Sequence, residues 1–488
     1  MTIFIQMISM KRLLLIALTL VSANAIAQTI TWSAPVSVAP SSDGNMHPRI
    51  ALDGSKDPVV IWGNSAMGGR AMFSRWNGTT FATPVALNPM TLPVFTASWA
   101  GPNIASHGDT LYAVMKNQPE DTGRMYIVRS FDGGQNWAAP VAISGITDTS
   151  RFPTVTTDAS GNPTVGYMQF DMGFGGARYV VSNSNNFGTS FNTSVMASNA
   201  SGDVCDCCPA SVLRSGNTVV MLYRNNLANI RTIWARISTD GGNTFPDSVE
   251  VDNTNWMVMS CPSSGPDGVV IGDTLYSVFR SSVSGARFYL SKASINTPQL
   301  ISAGQFATNF TGLTQQDYPR IANTGNSVAM VWKQVVGTSS KLCFSFTNNV
   351  TTGFATAYDT LASSGVTNGD VVITPGAVHV VWEDVATGTV KYRKGTYTPV
   401  SIEEILKTGT SIEVYPNPAN DYFSVSTKDM AGIYECILID NSGKRISLIG
   451  TQTAGTASFS LSGVAQGLYA VLITDKMGHT YSSKLMIK

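Results

Sequence analysis

This sequence has no excess of positive or negative charge: 31 Lys and Arg balance 31 Asp and Glu, and charged residues make up only 13% of 488. A surface without a basic excess does not attract nucleic acid or an anionic membrane, so neither is expected as a partner. Long apolar runs are scarce as well. The run from Leu13 to Val21 is too short to cross a bilayer, and no transmembrane segment is expected. Helical periodicity is lacking after the first 30 residues, where aromatic and β-branched residues alternate with Gly, Asn, Asp, Ser and Thr. That pattern predicts an all-β chain. Cysteine is rare too, with 6 in all, yet three of them crowd into "SGDVCDCCPAS" at Cys205, Cys207 and Cys208.

What is present begins with a targeting segment. Lys11 and Arg12 precede the apolar run, and "ANAIAQ" offers a small-residue cleavage site at Ala25-x-Ala27, so residues 1–27 read as a signal peptide, with Met10 as an alternative start. Export makes disulfides permissible.

Four segments then align without gaps: "SRWNGTTF" from Ser74, "SFDGGQNW" from Ser130, "SNNFGTSF" from Ser184 and "STDGGNTF" from Ser238, about 55 residues apart. A second marker runs in phase: a Pro opening an apolar strand, a turn and a second strand, at Pro48, Pro102, Pro153, Pro209, Pro262 and Pro319, with a Pro-less copy from Gly369. Each unit reads as one four-stranded blade of a β-propeller spanning 28–398. Seven units imply seven blades, with six as the alternative. The last unit stops after its third strand at "TVKYRKG", and "TITWSAPVSVAP" near the start supplies the missing outer strand.

The second and fourth aligned segments fit S-x-D-x-G-x-x-W/F fully and resemble the Asp boxes of the sialidase (BNR-repeat) superfamily of propellers. By that resemblance Asp132 and Asp240 are structural turn residues on the rim, remote from any catalytic centre. After a linker at 399–410, "VYPNP", "GLYAVLI" and the terminal "KLMIK" resemble the type A sorting domain of the type IX secretion system, a small β-sandwich over 411–488. The resemblance implies the type IX secretion machinery as a partner and a secreted or cell-surface location.

Sialidases grip a substrate carboxylate with three arginines, because only guanidinium offers a planar, permanently charged fork, and add a Tyr nucleophile and an Asp acid/base. By resemblance the candidates are Arg151, in the R-F-P of "SRFPTV", with Arg49 and Arg320 as "HPRI" and "YPRI", Asp171 as a loop acid and Tyr318 as nucleophile. The repeats hold only Glu120, Glu250 and Glu383, none in a Tyr–Glu relation legible in sequence. Hydrolysis is therefore one reading and binding without catalysis, as a surface adhesion protein, the other. The loops before the inner strands ring the channel mouth and carry His47, Trp99, Asn103 and Asp317, a mixture suited to a polar ligand such as an extracellular glycan or glycoprotein.

Cys208 and Cys261 each precede a Pro read as opening a unit, which gathers Cys205, Cys207, Cys208 and Cys261 at one sector of the mouth. A disulfide from Cys261 to one of the other three is the preferred reading, with no cofactor expected. The alternatives are a thiolate site for zinc or copper at the four cysteines, and redox chemistry, for which no helix N-terminus is evident to lower a thiol pKa. Cys343 and Cys436 read as buried small hydrophobes.

Overall fold

A computed structural model describes residues 30–398 and 410–488, except 146–148, 199–200, 309–310, 429, 441–444, 454 and 478. The expected signal peptide and nearly all of the expected linker lie outside the described residues. The only helical elements among those residues are two single 3-10 turns, and none is long and apolar enough to cross a membrane.

Residues 31–396 form seven antiparallel sheets of four or five strands. Their first strands are Asn45–Leu52, Asn103–His107, Thr149–Thr157, Ser211–Ser215, Asp267–Ile271, Leu313–Thr324 and Val366–Thr374, and the sheets are numbered here in that order. Each first strand packs beside the first strand of the next sheet, and that of sheet 7 packs beside that of sheet 1, so the sheets close a ring in the manner of a β-propeller. The second strands are near-continuous apolar runs because both faces are covered; Pro58–Asn64 is buried at every residue. The apolar core is accordingly divided among the interfaces between sheets. Val220, Leu222, Leu275 and Phe279 fill the one between sheets 4 and 5, and Val331, Phe344, Val380 and Trp382 the one between sheets 6 and 7.

Ring closure joins the two ends of this region. Thr31 and Trp32 pair with Thr396 and Gly395, and Val36 and Ser37 with Tyr392 and Lys391, so the first residues form the outer edge of sheet 7. Trp32 lies so close over Gly395 that a Cβ there would sit 2.9 Å from its ring, and its Nε1 donates to Asp359 Oδ2 (2.8 Å) of sheet 6.

Four first strands share an irregularity that shapes the mouth of the ring. Pairing with the second strand skips two residues between Met46 and Arg49, Arg151 and Thr154, Asp317 and Arg320, and Thr367 and Asp370. The first residue skipped takes a left-handed backbone: His47 (φ 57°), Phe152 (55°), Tyr318 (49°) and Asn368 (47°). Each such non-glycine residue costs about 1–2 kcal/mol. In three of the four the next residue is Pro, which has no N–H to give to a ladder and is confined to such bulges.

Residues 410–487 form two further sheets around a core of their own. Phe423, Val425, Leu438, Phe459, Val471 and Leu485 are buried in it.

Candidate functional site

The bulges aim their left-handed residues at one place. His47, Phe152, Tyr318 and Asn368 all line a cleft of ≈ 600 Å³, open to solvent, at the mouth of the ring, together with Arg49, Trp99, Asn103 and Arg320. Gly101 of sheet 2 is bare because a Cβ there would meet the His47 side chain at 2.9 Å.

In sheets 3 to 7 a residue of the first strand ties the sheet to a neighbour. Asp267 Oδ2 accepts Ile321 N–H and Asp370 Oδ2 accepts Ile50 N–H, each at 3.0 Å from the following sheet. Thr154 Oγ1 accepts Val212 N–H (3.2 Å), and Ser211 Oγ donates to Pro266 O (3.0 Å). Arg320, in the first strand of sheet 6, pairs through Nε with Asp370 (3.0 Å) and Asp267 (3.4 Å). Burial works against charge on Arg320, but the two carboxylates outweigh it and hold its pKa above the usual value. The aspartates are thus consumed by one guanidinium and two backbone donors.

Arg49 differs. It donates to Pro48 O and His47 Nε2, each at 2.7 Å, and has no salt-bridging carboxylate among the described residues. Burial, then the charge of Arg320, brings its pKa down to about 10. Burial, Arg49 and Arg320 push His47 well below its ordinary range, so its imidazole is neutral and accepts from Arg49. Behind them the buried Glu383 accepts from His47 N–H (3.1 Å) and Asn368 Nδ2 (2.9 Å), fixing two bulges at once. Tyr318 is pushed up to about 12, by burial and then by Asp317.

The other residues singled out in sequence lie elsewhere. Arg151 is in an adjoining recess with Phe95, Lys116 and Glu120, where Nη2 pairs with Glu120 (2.8 Å), Nη1 donates to Asp206 O (3.1 Å) and the guanidinium stacks over Phe174 (4.4 Å). Asp171 sits on the surface, 67% exposed, paired with Arg178 at 2.9 Å. Asp317 is buried and held by Arg280 (2.6 Å), Gln315 (3.0 Å) and its neighbour's Tyr318 N–H (2.9 Å), so it offers no free oxygen to a ligand in the cleft. Three arginines therefore do not converge; Arg49 and Arg320 share the cleft and Arg151 does not.

The Ser-x-Asp turns are self-contained. Asp132 Oδ1 accepts Ser130 Oγ–H (2.8 Å) and the N–H groups of Gln135 and Asn136 (2.9 Å each), while Gly134 N–H donates to Ser130 Oγ (2.9 Å). Asp240 repeats this with Ser238, Asn243 and Thr244, and Asn186 reproduces part of it with Ser184 and Ser190. The backbone N–H of Asn136, its side chain and Ser130 bring the Asp132 carboxyl down to about 2.

Cys207 and Cys261 form a disulfide with Cα atoms 5.9 Å apart, linking the entries of sheets 4 and 5. The expected equivalence of Cys208 and Cys261 does not hold, because the residue opening sheet 5 is Pro266, directly before Asp267–Ile271, and Pro262 lies farther upstream. Cys205 and Cys208 are free thiols, as are the buried Cys343 and Cys436. With Cys207 and Cys261 bridged, the cluster has two thiols left, and a four-thiolate tetrahedral site does not fit the bridged state. Sequence reasoning missed Asp267, Glu383 and Arg231, whose Nη1 donates to Cys205 Sγ (2.7 Å), as parts of these sites. The register one residue past the opening Pro would have found Asp267; the other two are defined only by neighbours in space.

A family model of a secretion-system C-terminal sorting domain matches residues 413–488. This end of the chain is a type IX sorting domain. Among curated proteins none matches the chain. Among solved structures it is similar to a fungal alcohol oxidase of the AA5 family in complex with copper, at 8% identity over 94% of this chain and 99% of that one, with a TM-score of 0.47. It is also similar to an α-L-arabinofuranosidase of Fusarium graminearum (11%, 66% and 98%, 0.44) and to the endosialidase of phage phi92 (10%, 93% and 87%, 0.47). Identities and scores of this size carry no chemistry over to this chain.

Proposed function

We propose that this protein is a secreted, seven-bladed propeller followed by a β-sandwich sorting domain, and that the mouth of its ring binds an extracellular glycan without hydrolysing it. Residues 1–27 serve as the export signal, and the sorting domain delivers the chain to the medium or the cell surface.

The observation that carries this reading is the composition of the cleft: three aromatic rings, an imidazole, two amides and two guanidinium groups line it, and no carboxylate does among the described residues. Trp99 offers an apolar face to the C–H face of a sugar ring, and Asn103 and Asn368 offer amide groups to hydroxyls. Arg49, without a salt-bridging carboxylate, favours an acidic sugar, whose carboxylate a guanidinium can meet with two parallel donors. Hydrolysis by the common routes needs two carboxyl groups roughly 5–9.5 Å apart across the bond to be cut. Asp267 and Asp370 pair with Arg320, Glu383 accepts through Oε2 from Asn368 and a backbone N–H and does not line the cleft, and Tyr318 is held as a phenol by its raised pKa. A glycan array probed with the purified chain tests this. Retention of acidic glycans, lost in Trp99→Ala, is the expected result; retention of no glycan would remove the reading.

A further inference from the structure

Outside the cleft, the densest group of reactive side chains is the cysteine cluster, and its contacts are unlike those of a plain structural bridge. Cys205 Sγ lies 3.4 Å from Cys207 Sγ, one half of the disulfide, and 3.3 Å from Cys208 Sγ, its partner in a C-x-x-C spacing. Cys205 and Cys208 are buried, whereas Cys261 is exposed. Arg231 is buried too, and its Nη1 donates to Cys205 Sγ at 2.7 Å. No carboxylate pairs with Arg231 among the described residues, so the acceptor that best answers this buried cation is a Cys205 thiolate. Arg224, fully buried, lies behind it with its donors on the carbonyls of Ser264 and Arg280. The Tyr179 hydroxyl donates to Cys208 O and steadies the loop. A helix N-terminus is one usual way to activate a thiol; here two arginines of sheet 4 take that place, Arg224 on the strand Thr218–Asn226 and Arg231 in the connection that follows it.

We propose that Cys205, Cys207, Cys208 and Cys261 are a thiol–disulfide exchange centre in which the bridge moves between an exposed and a buried position. The Cys205 thiolate attacks Cys207 Sγ; the Cys205–Cys207 bond forms as the Cys207–Cys261 bond breaks, and Cys261 leaves as a thiolate that takes a proton from water. Cys208 gives its proton to water and attacks Cys205 Sγ, forming Cys205–Cys208 as the Cys205–Cys207 bond breaks, and Cys207 leaves as a thiolate that takes a proton from water. One disulfide and two thiols enter and leave, so no outside oxidant or reductant is consumed. The hydrogen bond from Cys208 and the charge of Arg231 lower the Cys205 pKa, whereas burial raises that of Cys208, which orders the two attacks. The exchange also bears on the cleft. Pro209, Ser263, Gly265 and Pro266 line it, and they lie on the two segments that Cys207–Cys261 holds together. Moving the bridge releases that tie without unpairing either sheet.

The test equilibrates the purified chain in glutathione buffers from reducing to oxidising, quenches in acid, digests at low pH and reads the peptides by tandem mass spectrometry. The expected result is a population in which Cys261 is a free thiol while the peptide holding Cys205, Cys207 and Cys208 is lighter by a pair of hydrogens. Cys205→Ser abolishes that population and keeps Cys207–Cys261, which doubles as its folding control. Cys208→Ser leaves Cys205–Cys207 as the alternative bridge. Arg231→Gln slows the alkylation of Cys261 by ~10-fold at neutral pH, the loss expected if the thiolate fraction falls by one pKa unit. In the wild type that alkylation has its midpoint below the ordinary thiol pKa of ~8.5, a readout independent of any variant's folding. Cys207–Cys261 as the sole bridge in every buffer would overturn the proposal. So would a doubly bridged protein that never frees Cys261, or stoichiometric metal bound by four unbridged thiols.

Discussion

The aspartates of the outer turns and those of the ring mouth are the same residue type in opposite circumstances. Asp132 and Asp240 find their partners within four residues along the chain, on an open surface. Asp267 and Asp370 find theirs on other sheets: Ile321 and Arg320 for the one, Ile50 and Arg320 for the other. The outer turns hold a hairpin in shape. The mouth holds the ring in register, and a buried charge there depends on a partner that only the closed ring provides.

The largest break of this contrast comes from Arg320→Met. It strands two buried carboxylates, and a loss of about 3–5 kcal/mol is expected in urea or guanidinium unfolding. Trp99→Ala acts mainly on binding: affinity for an acidic glycan falls by about tenfold or more by calorimetry, as for a central aromatic contact, with a smaller loss of stability because the ring also packs against the apolar cluster that includes Ala100 and Phe152. Asp132→Ala removes a local turn network, and about 1 kcal/mol is expected, with glycan affinity unaltered. The pH response sharpens the comparison further. The Asp132 and Asp240 carboxyls titrate near 2 in the folded chain, below the ordinary ~3.9. Their contribution is complete above the unfolded value and is lost as pH falls from ~4 through about 2. The double variant Asp132→Asn, Asp240→Asn should flatten unfolding midpoints across that window.

The same contrast explains what could be read from the sequence. A turn whose donors lie at i+3 and i+4 leaves a spacing, as around Asp132 and Asp240, and the all-β class and the sorting domain with its "VYPNP" and "KLMIK" were legible in the sequence. Pro48, Pro153 and Pro319 mark the bulges, and the residue before each Pro, together with Asn368, lines the cleft. Convergence across sheets leaves no spacing. Arg151 matched a motif but is turned into the adjoining recess by Glu120, while Glu383, read as lacking a tyrosine partner, anchors His47 and Asn368. The cysteines stand between the two cases. A bridge from Cys261 into "CDCC" could be expected, but Cys207 was not singled out, because the local register of Pro262 differs from that of Pro266.

The ring mouth is proposed to bind a glycan without cutting it. Turnover of fluorogenic sialosides and uronides by the wild-type chain, measured at ligand concentrations that saturate binding, tests it most directly. Saturable binding with no release of the fluorophore above the buffer rate is the predicted result; turnover that is lost in Tyr318→Phe or Glu383→Gln variants that still fold would contradict it.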